Sequence, residues 1–131
     1  MSRVIQSALL TGLAVFAAGA FAQKTQLLVY TALETDQIKA YQEGFNKVYP
    51  DIEIKWVRDS TGVITAKLLA EKGNPQADVV MGVAASSLAL LDSNGMLIPY
   101  APLNLDGIMS QYKDKKTPPA WFGMDVWGAT V

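Results

Sequence analysis

The stretch DIEIKWVRDSTGVITAKLLAEKG, Asp51 to Gly73, changes its hydrophobic period in the middle. Before the change, Ile52, Ile54 and Trp56 alternate with Glu53 and Lys55, the period-two pattern of a strand with one polar face. After Gly62 the period lengthens. Ile64, Leu68 and Leu69 fall on one helical stripe, Glu71 and Lys72 lie outside it, and Gly73 followed by Pro75 marks the stop. A strand that passes into a helix through the short turn RDSTG is half of a strand–helix–strand unit, which predicts a parallel sheet.

The flanking residues repeat the pattern on both sides. Upstream, QLLVY (Gln26 to Tyr30) is a short apolar run of the kind expected of a buried strand, followed by TALETDQIKAYQEGFNKVYP. In that segment Ile38, Tyr41, Phe45, Val48 and Tyr49 recur at steps of three and four. Glu34, Thr35 and Asp36 supply acids and a cap, and Pro50 ends the helix. Downstream, ADVVMG (Ala77 to Gly82) reads as a third strand. VAASSLALLDSNG reads as a turn and a helix, with Ser86 or Ser87 as cap and Gly95 as stop. The order strand, helix, strand, helix, strand, helix with short connections predicts an α/β fold, a mostly parallel sheet flanked on both faces by helices. From Leu97 to Pro119 four prolines punctuate a loop-rich section, and the closing WFGMDVWGATV is expected to be a strand. Because it stops on Val131 inside what reads as an element, the chain is expected to be truncated.

The first 22 residues are expected to stand apart. Arg3 begins them, an apolar run follows from Ala8, and Ala20 and Ala22 flank Phe21, the pattern of a secretory signal cleaved after Ala22. The run from Ala8 to Ala22 is shorter than the roughly 20 residues a membrane-spanning helix needs. Residues 23–131 are then the mature region. Arg3 is the only charged residue removed, so the formal net charge moves from −1 to −2. With no basic block, nucleic acid is excluded as a partner. With no cysteine, the mature chain has neither a disulfide nor an N-terminal thiol for a lipid, so it is expected free in the periplasm. With neither His nor Cys, a zinc site lacks its usual ligands, and no metal or cofactor is expected.

In an open parallel sheet, ligands bind beyond the carboxyl ends of the strands. Three turns are expected there: Thr31 to Thr35, Arg58 to Gly62, and Gly82 to Ser87. Asp59-Ser60-Thr61-Gly62 is close to the Asp-Ser/Thr-Gly signature of aspartic proteases. However, Thr61 breaks that spacing and a following helix is foreign to an all-β enzyme, so a catalytic Asp59 is set aside. Two readings stay open. Asp, Ser and Thr are favoured helix caps. Equally, the free amides of a helix start attract anions, Ser60 and Thr61 add hydroxyl donors, and Gly62 permits close approach. Thr31 and Glu34 fit either a cationic group of a ligand or the helix dipole. Ala85 and Ser86 fit either ligand room or a tight turn. Trp121 and Trp127 fit a cleft or, more commonly for such residues, a core.

The combination YTALE (30–34), WVRDSTG (56–62), AKLLAEK (66–72) and ADVV (77–80) closely resembles the substrate-binding proteins of bacterial ABC importers. The branch is the one related to ferric-iron-binding proteins, and within it the chain is most similar to 2-aminoethylphosphonate-binding proteins. The resemblance extends to PPAWFGMDVWGA near the end. It implies a type II periplasmic binding fold of two lobes, with residues 23–131 as an incomplete N-terminal lobe. It also implies a non-enzymatic, monomeric receptor that delivers a small organophosphonate to an ABC permease. By analogy with the family, Ser60, Thr61 and Gly62 hold the phosphonate with Ala85 and Ser86, while Thr31, Ala32 and Glu34 line the opposite side. Charge assigns Glu34 to the ligand's ammonium group. The alternatives are a ferric-iron, phosphate-ester or polyamine receptor of the same fold, or an exported α/β hydrolase. An iron site is disfavoured by the absence of His and Cys, and a hydrolase by the lack of an ordinary nucleophile–base pair.

Overall fold

A computed structural model describes residues 24–128. Strand β1 (Thr25–Thr31) leads to helix α1 (Thr35–Val48), β2 (Ile52–Arg58), α2 (Thr61–Ala70), β3 (Val79–Met81) and α3 (Ala85–Ser93). The three strands form one parallel sheet in the order β2-β1-β3. The alternation read from the sequence is therefore the architecture. The expected signal segment and its expected cleavage point after Ala22 lie outside the described residues.

The strand order determines where the helices go. The β1-to-β2 connection moves one way across the sheet, and the β2-to-β3 connection moves back over β1. Right-handed crossovers then place α1 and α2 on opposite faces. The side chains agree. On one face Tyr30, Ile64, Leu68 and Leu91 form the core, drawn from β1, α2 and α3, with Leu28, Val57 and Val80 packed against it. Each such aliphatic or aromatic side chain, when fully buried, contributes about 1.5–3 kcal/mol. On the other face Val29 and Ile54 are buried, and the Trp56 indole N–H donates to Gln42 Oε1 of α1 at 2.9 Å.

Three local expectations need correction. The apolar stripe of α1 is a helix stripe, but only Ile38 of it is buried; Tyr41, Val48 and Tyr49 are exposed. Helix α3 starts two or three residues earlier than a serine cap at Ser86 or Ser87 requires. Ala84 is its N-cap, and Ser86 and Ser87 lie in the first turn. The cause is Gly82, whose φ of +66° turns the chain directly into the helix. Finally, the expected strand over 121–131 is absent among the described residues. Only an isolated antiparallel bridge, Lys113 to Phe122, forms there. An apolar run needs a partner strand to become one, and here the facing segment is irregular. The segment is held instead by single ties. Lys116 Nζ pairs with Asp92 Oδ2 of α3 at 2.5 Å, the Tyr100 N–H donates to the Pro119 carbonyl, and the Asp114 N–H to that of Trp121.

Candidate functional site

Parallel strands bring their carboxyl ends to one edge, so the turns after β1, β2 and β3 meet there. Two contacts join them. The Asp59 N–H extends the β2 ladder by donating to the Thr31 carbonyl at 3.2 Å. In the other direction, Leu33 is buried against Gly82, where a Cβ would overlap the leucine side chain.

Each expected site residue has a definite place. Thr31 is fully buried, and its Oγ1 accepts the Leu33 N–H at 3.1 Å, so it shapes the first turn. Ala32, Glu34, Thr61 and Ala85 line one end of an open depression of about 1250 Å³ that runs along β3 to Asp78, Pro75 and the end of α2. Thr31, Ser60, Gly62 and Ser86 are not part of its lining. Trp121 and Trp127 line it too, and Trp127 is exposed, so neither is a core residue.

The start of α2 divides capping from availability. Ser60 is the N-cap: its Oγ accepts the Val63 N–H at 3.4 Å, while its own N–H donates to Asp59 Oδ1 at 2.7 Å. This leaves the Thr61 and Gly62 N–H groups without an acceptor among the described residues. A Cβ on Gly62 would meet nothing within 4 Å, so a side chain at that position is not excluded by packing. At the start of α3 the Ser87 and Leu88 N–H groups both donate to the Ala84 carbonyl, and those of Ala85 and Ser86 have no acceptor among the described residues. Two positive helix ends thus offer unused donors at one edge. Capping and anion binding need not compete, since they use different N–H groups.

Glu34, expected to await a cation, already has one. Arg58, the last residue of β2, donates from Nη2 to Glu34 Oε2 at 2.6 Å and from Nε to the Leu33 carbonyl at 2.8 Å. Glu34 is also the N-cap of α1, with its N–H donating to Gln37 Oε1 at 3.0 Å. Its carboxylate also closes a capping box with Gln37, taking the Gln37 backbone N–H while the Gln37 side chain takes that of Glu34. Arg58 is the residue that sequence reasoning passed over. The available signal was a cation at the end of a strand, directly before the candidate anion turn. Among the described residues no group of three or more His, Cys, Asp or Glu is arranged to hold a metal ion. No helix among them is long and apolar enough to cross a membrane.

The family model described as bacterial extracellular solute-binding protein matches residues 31–128, from the last residue of β1 onward and including all three turns of this edge. The chain belongs to that family. This solute-binding protein is 44% identical over 62 residues to the probable ABC transporter periplasmic-binding protein y4fP of Sinorhizobium fredii, covering 47% of the chain and 17% of that protein. It is 31% identical over 115 residues to an uncharacterised Haemophilus influenzae protein, covering 87% of the chain and 32% of that protein. Among solved structures it is similar to the periplasmic binding protein AfuA of Actinobacillus pleuropneumoniae, determined with fructose-6-phosphate. The TM-score is 0.63 at 31% identity, over 70% of the chain and 28% of AfuA. The Trichodesmium protein FutA, determined with iron and citrate, matches with a TM-score of 0.63 at 22% identity, over 75% of the chain and 30% of FutA, and shows the fold alone. The fold is that of type II periplasmic binding proteins, and the chain spans a third or less of the length of these relatives.

Proposed function

We propose that the chain forms the ligand-facing edge of the first lobe of a periplasmic receptor that delivers a small organophosphonate to an ABC permease. The ligand proposed is 2-aminoethylphosphonate. One observation carries the reading: the unused N–H groups of Thr61 and Gly62, and of Ala85 and Ser86, stand at two helix starts on the same sheet edge. A tetrahedral oxyanion suits such donors, because they carry fixed positive partial charge and need no side-chain ordering. In this reading Thr61 adds its hydroxyl, Ser60 sets the helix start, and the Glu34 carboxylate receives the ammonium group beside Arg58, with Thr31 and Ala32 shaping that side. Export through a signal segment cleaved after Ala22, and action as a monomer without cofactor, belong to the same proposal. The family and fold are those of binding proteins, and an enzymatic role has no support in them.

A phosphate ester is the second reading, favoured by the likeness to AfuA with its fructose-6-phosphate. It shares the oxyanion and lacks the ammonium group. Calorimetry on the complete receptor with 2-aminoethylphosphonate, fructose-6-phosphate, inorganic phosphate, ferric ion and putrescine separates the cases. The expected result is tightest binding of 2-aminoethylphosphonate. Preference for the sugar phosphate would move the assignment to the second reading, and preference for putrescine or iron would end both.

A further inference from the structure

From the contacts of Arg58 we infer that it is a positioning residue of this ligand edge, tying the turn after β1 to the end of β2 and so fixing the spacing of all three turns. The inference rests on the receptor reading above. Its basis is a fork: Nε bonds the Leu33 carbonyl at 2.8 Å while Nη2 bonds Glu34 Oε2 at 2.6 Å. The planar guanidinium presents two donors in fixed relation, so one side chain grips two consecutive residues 24 and 25 positions earlier in the chain. The grip passes on to the third turn. Leu33, held by its carbonyl, seats its side chain in the notch left by Gly82, and Gly82 leads directly into α3 with its unused amides. Besides the fork, the polar ties of the first turn are the bond from the Leu33 N–H to Thr31 Oγ1 and that from the Asp59 N–H to the Thr31 carbonyl, neither of which holds the Leu33 carbonyl.

The two halves of the fork differ in kind. The Glu34 half is an exposed ion pair, with side chains 42% and 55% accessible, and is weakened by salt. The Leu33 half is a partly buried charge-assisted bond that salt screens less. Lysine at this position would supply the charge without the fork.

The test compares the unmodified receptor with R58K and R58A, reading ligand affinity by calorimetry and amide exchange in the absence of ligand. Both variants are expected to lose at least tenfold in affinity for 2-aminoethylphosphonate. Both are also expected to exchange the Leu33 and Glu34 amides faster, while the Leu68 and Leu69 amides inside α2 keep their protection. Where R58A does not fold, as those α2 amides would reveal, R58K alone decides. Wild-type affinity in R58K would overturn the inference, since charge alone would then suffice, and so would unchanged exchange at Leu33 and Glu34. Should the unmodified receptor bind neither 2-aminoethylphosphonate nor fructose-6-phosphate, the functional reading fails, and the exchange data still decide whether Arg58 positions the turns.

Discussion

Leu33, in the turn after β1, occupies the space that a side chain on Gly82, in the turn after β3, would need. Gly82 also has φ +66°, a conformation that side chains disfavour. Gly82→Ala therefore meets two costs at once: about 1–2 kcal/mol for the left-handed backbone and about 1–3 kcal/mol for overpacking. We expect stability to fall by about 2–5 kcal/mol, seen as a lower urea midpoint at unchanged slope. Affinity should fall as well, because the two turns part. A variant of wild-type stability would mean that Leu33 moves aside freely.

Ser60 and Thr61 are adjacent hydroxyl residues with separable roles. Ser60→Ala removes the cap on Val63, a long bond at 3.4 Å, and should cost about 0.5–1 kcal/mol of stability. Thr61→Ala removes no cap and should change stability by less than about 0.5 kcal/mol. It should weaken 2-aminoethylphosphonate binding by about 1–3 kcal/mol, the range for a hydrogen bond to a charged group. Calorimetry and thermal unfolding of both variants check the pair. Unchanged affinity for Thr61→Ala beside a lowered Tm for Ser60→Ala would leave this turn as a cap and nothing more.

The alternation of strands and helices was legible because it rests on local period: Ile52, Ile54 and Trp56 on one pattern, Ile64 and Leu68 on another. The edge where the three turns meet followed from that alternation, since parallel strands share a carboxyl end. What period could not convey was long-range pairing. Arg58 reaches Leu33 and Glu34 across 25 and 24 positions, and no spacing rule marks that contact. The terminal run around Trp121 failed as a strand for the same reason, since strands depend on partners that local sequence does not name. The turns into α2 and α3 offer backbone amides, which any residue supplies, so the hydroxyls of Ser86 and Ser87 drew attention as caps while Ala84 starts the helix.

Period alone would rank Ile64 and Val48 alike, yet Ile64 is fully buried and Val48 is 66% exposed. Ile64→Ala should lower stability by about 2–5 kcal/mol, the cost of lost burial plus a cavity between α2 and β1. Val48→Ala should stay within about 0.5 kcal/mol of wild type. Chemical denaturation of both measures the contrast. A large loss at Val48 would show that the outer face of α1 is covered in the folded protein.

Acid should loosen the segment around Asp114 in a defined direction. The Ala120 N–H, which reaches Asp114 Oδ2 at 3.0 Å, is the main cause holding the carboxyl below its usual value of 3.8, with the Lys116 and Lys115 amides adding to it. A carboxyl whose folded value is depressed contributes stability that is complete above the unfolded value and is lost as pH falls through the folded one. The tie from Asp114 to Ala120 should therefore be intact at neutral pH and weaken only below 3.8. Following the Ala120 amide by NMR should give a titration midpoint below that value, with faster exchange on the acid side. In Asp114→Asn the same amide should show no such titration. A midpoint at or above 3.8 would mean that the Ala120 bond does not form in solution, and that the loop carrying Trp121 and Phe122 is held by its backbone bonds alone.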